Sequence, residues 1–544
     1  MRRIATLTCM CASLFAAQSA WAGDYVDTRL NFTLTDENLL VKPGETNPSV
    51  PGVRIGQPNS LGILFFDNYD TRYTGYENLT HLVIYKKLST PSGRFTAEAA
   101  YVLRLLQFTD VNLSSIDDGS YLRFTYWFDR NHEAGGHKTN IALTVFPLNA
   151  DRMRLGYSYR ISWGGSPIFF KFNPDLPVGA APFVTNTNPA PGAKLQISDE
   201  RWYAYVGFKT SLLLNRNPQI NEQVAVYGAL AGGGFDILPE HLRIEANAGY
   251  FDRGTNPLFF GTTVGPMGQT FTDYPVATYG GTLQISAFKG ISPSQSADFA
   301  LYRNDPMVTA TRYFARPVYR PGFNWLGSAE FTGLGSTLQD VGRPNSTKTQ
   351  FAYAGDVNLR AQFGKIRLRG DFETRSLSYI LINQPSLVPY QDFPAGSQVG
   401  SELFGVIGVD YFWDRIGFTG GLSVGMERPA TFTPPAGQTI SGPLQGNTGG
   451  TLTTSATIVV RNEGDFSILP EKDANGNVLH EVPIFAAKAE LREDFLEWFA
   501  VILQVYYQND GNQTHLVKAP DGTSIRQFNH PNQLGFNLTL SARY

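Results

Sequence analysis

The chain has little of three features that often stabilise a protein of this length or determine its location and partners. These are cysteine, long apolar runs and an excess of one charge. Its 544 residues include 2 cysteines, Cys9 and Cys11, and 44 basic residues stand against 47 acidic ones. The charges are spread along the chain, which gives no basic surface for nucleic acid. After residue 22 there is no run of about 18 apolar residues, so the sequence predicts no membrane-spanning helix.

The first 22 residues have the pattern of a secretory signal. Arg2 and Arg3 form a positive start, an apolar stretch follows, and Ala20-Trp21-Ala22 is an A-x-A cleavage site. The sequence therefore predicts a cleaved signal peptide over 1–22 and an exported chain over 23–544. We expect that chain to be one domain, because no linker or change of composition divides it. Both cysteines would leave with the signal, so other forces must hold the exported fold.

The C-terminal strand has the clearest pattern in the chain. From Gln533 to Tyr544 every even position is apolar or aromatic and every odd position is polar or small. A period of two over this length predicts a strand with one apolar and one polar face. Such a strand would also suit a soluble β-sandwich. Its position at the end of the chain, together with the signal at the start, favours a different interpretation.

In these two features the chain resembles bacterial outer-membrane β-barrel proteins such as porins. In that class the terminal aromatic strand is part of the signal that the barrel-assembly machinery reads. The resemblance assigns this role here to Phe536, Leu538, Leu540 and Tyr544. It implies the outer membrane of a Gram-negative bacterium as the location and outer-membrane lipid as the surroundings. The resemblance covers the architecture only, and no motif identifies a specific porin family.

Alternation of the same kind recurs along the chain. Aromatic residues make up 13% of it and there are 54 glycines, as in barrels with aromatic girdles and closely packed strands. A β-helix or a propeller would share this composition, but no repeat of fixed period is present. The sequence therefore predicts an all-β fold, a transmembrane antiparallel up-and-down β-barrel of roughly 16–18 strands.

Two hairpins can be predicted in detail. The first joins 351–363 to 366–376 through the tight pair Gly364-Lys365. The second joins 141–146 to 152–163, where apolar and polar residues alternate almost as clearly as at the C-terminus. We expect both hairpins to form part of the barrel wall.

The connections are predicted to be unequal in length. Residues 41–62 and 164–192 are rich in proline and glycine and read as long loops, the second long enough to fold inward or to cover the mouth. Residues 453–461 are predicted as a further barrel strand. The turn over 492–498 is short and the connection over 508–531 is long, which is the asymmetry of outer-membrane barrels.

A set of charged residues lies opposite apolar ones on the predicted strands. An arginine at the midplane of a barrel's lipid-facing side costs roughly 2–4 kcal/mol, so we expect these side chains to face the lumen. They would line either a water-filled conduit that influences anions, or a closed barrel whose charges pair off; both interpretations stay open. The residues are Arg123, Arg152, Arg154, Arg160, Arg360, Arg367, Arg369, Asp371, Glu373 and Arg375.

Other chemistry-bearing patterns are weak. His132-Glu133 and His137 have one residue too many for the zinc-protease spacing, and glycines between them break any helix. Asp473, Asn475 and Asn477 begin like a calcium loop but lack its acid at position twelve. No histidine has a recognisable catalytic neighbourhood. The sequence predicts no enzyme, no cofactor and no metal site.

The function that fits best is a porin-like passive outer-membrane channel for small polar or anionic solutes. The alternative is a non-conducting structural or assembly barrel in an outer-membrane complex for export, adhesion or motility. The partners expected are outer-membrane lipid, the barrel-assembly machinery and small solutes, with no nucleic acid. Porins are often trimers, so a homo-oligomer is left open, although the sequence shows no interface.

Overall fold

The computed structural model places a large part of the chain between residues 26 and 543. The residues it describes are 26–36, 38–40, 52–55, 80–109, 112–117, 119–130, 136, 138–150, 153–156, 191–214, 223–255, 275–293, 322–340, 343, 346–382, 393, 395–435, 439–440, 452–453, 456–461, 465–470, 479–496, 498–518, 520 and 524–543.

Eighteen of the described strands form the main wall. In chain order they are β1 (Val26–Asp36), β2 (Thr80–Ser89), β3 (Phe95–Thr109), β4 (Tyr121–Trp127), β5 (Asn140–Phe146), β6 (Gly192–Ser198), β7 (Trp202–Leu214), β8 (Gln223–Leu238), β9 (Leu242–Thr255), β10 (Pro275–Lys289), β11 (Phe323–Gln339), β12 (Thr347–Phe363), β13 (Ile366–Arg375), β14 (Glu402–Trp413), β15 (Phe418–Arg428), β16 (Ile484–Leu496), β17 (Phe499–Asn509) and β18 (Asn532–Arg543).

Each of these strands pairs antiparallel with its predecessor and its successor in the chain. The last strand, β18, pairs with the first over Arg29–Asp36, so the described pairings return to their starting point. The prediction of an all-β, antiparallel, up-and-down barrel of roughly 16–18 strands is confirmed.

The two ends of the barrel differ. Six connections at one end, which we call the short-turn end, have between two and five residues, as in 199–201 and 364–365. The opposite, long-connection end carries the connections 37–79, 147–191 and 429–483. The predicted asymmetry is therefore present, with 290–322 as a long connection at the short-turn end. Among the described residues no helix is both long and apolar enough to cross a membrane.

The wall is apolar outside and polar inside. On β12 the odd-numbered residues are exposed or partly exposed, with Phe351 at 78%, while Asp356, Asn358 and Arg360 are buried. The same alternation runs through β14, whose Leu403 and Ile407 are more than half exposed. A soluble barrel buries its apolar face, so this arrangement is inverted. It suits surroundings that are themselves apolar.

A small subdomain sits at the long-connection end. It consists of a four-stranded sheet and the short helix α1 (Leu377–Ile382), held by a core that includes Leu377, Ile380 and Val460. The sheet strands are Gln398–Gly400, Ala430–Thr433, Ile458–Arg461 and Asp465–Ile468. The hairpins Thr439–Ile440 with Leu452–Thr453 and Thr514–Lys518 with Ser524–Phe528 are separate, while Gly52–Ile55 pairs with β1 and Asn112–Asp117 with β3.

Two predictions of individual strands are wrong. The partners of β5 are β4 and β6, so the predicted hairpin of 141–146 with 152–163 does not form. Residues 458–461 belong to the small sheet and not to the barrel, because they pair with 430–433 and 465–468. In each case the alternation identified an apolar face but not the surface that covers it.

The candidate functional site, the inner wall and the segment across it

The inner wall is richest in charge where β12 and β13 form the predicted hairpin. Gly364 has a φ of +54°, which a tight turn requires and glycine tolerates. From this turn the register places Arg360 opposite Arg369 and Gln362 opposite Arg367. Their side chains point away from the exposed apolar ones, and Arg360 is 4% exposed. The turn thus fixes a group of arginines on the inner face near the short-turn end.

These arginines are held by carboxylates of the same wall. Arg360 Nη1 lies 3.0 Å from Asp371 Oδ1, and Arg367 Nη2 lies 3.3 Å from Asp410 Oδ2 on β14. Arg369 Nη2 donates to Ser423 Oγ at 3.3 Å on β15. Because each contact joins two strands, the set fixes the orientation of the guanidinium groups across four neighbouring strands. We call the inner face of β12–β15 the arginine wall.

Arg375 forms the most buried of these pairs. Its Nε donates to Glu402 Oε2 at 2.7 Å, and both side chains are almost inaccessible to solvent, at 3% and 0% exposure. The pair lies at the long-connection end, where α1 begins two residues after Arg375. A buried pair is costly to break, because the remaining charge has neither water nor a partner.

Charge is sorted by level along the barrel axis. Toward the long-connection end, one level of the wall carries acidic residues on neighbouring strands. In register across these strands lie Glu330 on β11, Asp356 on β12, Glu373 on β13 and Glu427 on β15. Nearer the short-turn end, the corresponding positions are Arg360, Arg369, Ser423 and Lys488. A solute that moves along this wall would therefore meet an acidic level and a basic level in turn.

A described segment crosses the interior. Residues 153–156 belong to no barrel strand, and Met153 and Leu155 are 1% and 0% exposed. Lys209 Nζ on β7 donates to the carbonyl oxygen of Met153 at 3.0 Å. At the other end, a Cβ added to Gly156 would lie 2.5 Å from Glu330 Oε1 on β11. We call residues 153–156 the inward segment, because they reach from β7 to β11 inside the ring.

The inward segment is packed in an apolar cluster. Side chains from the inner faces of β2–β5, β7–β9, β11 and β12 join it, among them Phe146, Tyr205 and Leu334. Tyr379 of α1 belongs to the same cluster and is fully buried. Beside it, Tyr205 Oη donates to Asn247 Oδ1 at 2.8 Å, and Asn247 Nδ2 donates to Thr282 Oγ1 at 3.3 Å. The interior on this side is filled by protein.

The charges singled out from the sequence fall into three groups. Those on β12 and β13 form the arginine wall or its acidic level, and include Asp371 and Glu373. Arg123 lies on β4, in register with Glu98 and Thr144, and Arg154 is buried in the inward segment. Arg152, Arg160, the histidine and calcium-like patterns at 132–137 and 473–477, and Tyr544 lie outside the described residues or have no described side chain.

Several inner charges were not singled out from the sequence. Asp410 lies opposite the apolar face of β14, so its alternation could have identified it. Arg492 was expected in a turn, but β16 continues to Leu496 and buries it beside Asp494. Lys209 has no sequence signal, because its role depends on a carbonyl of a distant segment. In the described part of the chain no three His, Cys, Asp or Glu side chains are grouped to hold a metal ion.

Two pairs of adjacent aromatic residues, Trp202-Tyr203 and Tyr506-Tyr507, divide between the two faces of the wall. Trp202 and Tyr507 point outward, whereas Tyr203 and Tyr506 are buried inside. Only one member of each pair can therefore contact surroundings outside the barrel. Outward-facing rings do cluster near the short-turn end, where Trp413 lies 4.7 Å from Tyr411 and 5.8 Å from Phe418 between ring centroids.

No protein-family model matches the chain, and no curated protein is significantly similar to it. Solved structures align over nearly its whole length. OpdL from Pseudomonas aeruginosa has a TM-score of 0.41 at 8% identity, over 96% of this chain and 99% of that one. OccAB2 from Acinetobacter baumannii has a TM-score of 0.42 at 7% identity, over 97% and 99%. OccK11 (OpdR) from P. aeruginosa has a TM-score of 0.39 at 10% identity, over 96% of each chain. TM-scores this low carry no weight for function.

Proposed function

We propose that this protein is a passive channel of the bacterial outer membrane for small polar or anionic solutes. The observation that carries the proposal is the inverted ring, which is apolar and exposed outside and charged inside. In hydrocarbon every backbone N–H and C=O must be paired within the protein, and a ring of strands achieves this without an edge. Half-exposed Phe, Leu and Ile side chains around such a ring are stable in lipid and unfavourable in water.

The targeting of the chain is part of the same proposal. It is exported through a signal peptide over 1–22 and inserts through residues 23–544. In β18 the side chains of Phe536, Leu538 and Leu540 lie on the outward-facing side, opposite the buried Asn537 and Thr539. These outward residues, together with Tyr544, would be presented to the barrel-assembly machinery.

The arginine wall defines the solute class. Arg360, Arg367 and Arg369 concentrate positive charge at one level of the inner face, and their carboxylate and hydroxyl partners keep the guanidinium groups in fixed orientations. Fixed cations in a narrow, weakly screened passage raise the local concentration of anions. The acidic level above them repels simple anions, so a solute with a polar or cationic group beside its anionic one suits the passage better.

The test is single-channel recording of the refolded protein in a planar bilayer, with the reversal potential measured under a salt gradient. We expect stable steps with a preference for anions. Arg360→Gln together with Arg369→Gln should shift the reversal potential toward cations, because both changes remove charge from the basic level. Arg343→Gln, in the exposed connection between β11 and β12, is the matched control and should leave the potential unchanged.

A second candidate, a non-conducting structural barrel, has a specific observation in its favour. Glu402, Glu427 and Lys209 inside the ring are each 0% exposed, and the inward segment and its apolar cluster fill one side of the interior. If the folded barrel inserts into the bilayer and gives no steps, the channel is excluded and this candidate replaces it. The small subdomain at the long-connection end would then be the surface to test for protein partners.

A further inference from the structure

A concave groove lies on the outer face of the wall. It spans β10–β16 and has a volume of about 990 Å³. Its floor is open because Gly355 and Gly405 point outward without a side chain, and its sides are formed by Phe331, Phe372, Met426 and Phe485. We call it the outer groove. Its volume is that of a small-molecule pocket, for which about 300–1,000 Å³ is typical.

Polar groups close the groove at one end. The residues at this end are Tyr353, Ser401 and Arg428, which lie on the same outward face as the groove. Each is two residues away from a groove residue, toward the long-connection end; these groove residues are Gly355, Leu403 and Met426, respectively. The hydroxyls of Tyr353 and Ser401 lie 2.9 Å apart. Arg428 is 53% exposed and places Nε 3.2 Å from Glu481 Oε1, which leaves further donors of its guanidinium directed to the surroundings. An apolar groove thus leads to a polar, cation-bearing rim.

We infer that the outer groove binds the acyl chain of an anionic phospholipid, whose headgroup is held by Tyr353, Ser401 and Arg428. The inference rests on the proposed membrane location. A second copy of the chain fits less well, because a two-fold contact would set the groove against itself and leave it empty. A flexible acyl chain fills a concave apolar surface, and the guanidinium suits a phosphate.

Two outward glycines allow a matched test. A Cβ added to Gly355 would meet its nearest neighbour, Thr374 Cγ2, at 3.5 Å, so Gly355→Leu fills the groove without strain in the sheet. A Cβ added to Gly327 would also find its nearest neighbour at 3.5 Å, on Leu359, but Gly327 does not line the groove. Gly327→Leu therefore adds the same apolar bulk to the same strand pair and leaves the groove open.

The experiment is native mass spectrometry of the full chain, refolded with equal amounts of phosphatidylglycerol and phosphatidylcholine that carry identical acyl chains. We expect the wild type and Gly327→Leu to retain one lipid and Gly355→Leu to lose it. The wild type should prefer phosphatidylglycerol by about fivefold, the effect of one basic residue near an anionic lipid, and Arg428→Gln should remove this preference. Arg343→Gln serves as the charge control.

Equal lipid retention by the wild type and Gly355→Leu would overturn the inference, as would a wild type that retains no lipid. Should Gly355→Leu fail to fold, thermal unfolding of the wild type decides, because phosphatidylglycerol must stabilise it more than phosphatidylcholine does. Insertion into liposomes is scored in parallel. A chain that does not insert contradicts the proposed function itself, whereas a chain that inserts without selective lipid retention contradicts only the outer groove.

Discussion

The inner face of the barrel wall is covered in different ways on its two sides. On the side of β2–β9, the inner face is covered by the inward segment and an apolar cluster that includes Met153 and Tyr205. On the side of β12–β15, the inner face is covered by charges that pair with one another, such as Arg360 with Asp371. Apolar packing does not titrate and involves no charge that salt could screen, whereas ion pairs depend on both pH and ionic strength. One barrel therefore combines a rigid half with a half that responds to its solution.

The largest change in stability is expected on the charged side, at Arg375. Replacing it by Met should destabilise the barrel by about 3–5 kcal/mol, because Glu402 is left as a buried charge without its partner. Urea unfolding of the refolded protein measures this loss. The double variant Arg375→Met with Glu402→Gln should recover most of it. If the double variant is no more stable than the single one, the pair is not what holds this end of the wall.

Lys209 tests the packed half in the same way. Its ammonium group, fully buried, donates to the carbonyl of Met153, and hydrogen bonds to charged groups contribute about 1.5–3 kcal/mol. Lys209→Met keeps the length of the side chain and removes the donor, so the inward segment should loosen. We expect lower stability and a larger single-channel conductance. Unchanged conductance with reduced stability would show that the segment does not limit the passage.

Alanine substitutions at Gly156 and Gly364 distinguish the effect of the position of the inward segment from the effect of backbone strain. It has a φ of +75°, and Gly364 has one of +54°, so an alanine at either position costs about 1–2 kcal/mol. An added Cβ at Gly364 meets nothing within 4 Å, but at Gly156 it collides with Glu330. Gly156→Ala should therefore change the conductance, and Gly364→Ala should not. The same conductance in both variants would contradict the crossing to β11.

The smallest effect is expected at the exposed pair of Lys365 and Asp414, 2.6 Å apart in the short turns. The hydrogen bond from Lys365 lowers the pKa of Asp414 below its ordinary value. A lowered pKa stabilises the folded state above that ordinary value, and this contribution is lost as the pH falls through the lowered pKa. Titration of the Asp414 carboxyl by NMR checks the direction, and Lys365→Met should restore the ordinary pKa.

The barrel wall could be predicted wherever alternation and turn chemistry agreed. In the hairpin of β12 and β13 an apolar face, a charged face and Gly364 all specified the same register. The strand β11 was not predicted, because its small residues, including Gly327, Gly333 and Gly335, weaken the contrast between its faces.

The interior could not be predicted, because a period of two reveals a face and not its partner. Met153 and Leu155 alternate with Arg152 and Arg154 as a wall strand would, but they fill the apolar cluster inside the ring. The position of the segment depends on Lys209 and Glu330, which lie more than 50 residues away in the chain. Contacts of that range leave no trace in local sequence.

The ring closes between the two ends of the chain. Beyond the pairing of β18 with β1, Leu39 N donates to Leu534 O at 2.7 Å. Contacts between residues this distant in the chain form slowly, because a very long loop must close first. Until β18 arrives, β1 and β17 are unpaired edges that would bind strands of other molecules. Closure of the ring and aggregation through these unpaired edges therefore compete during assembly. Closure can take place only after β18 has been synthesised.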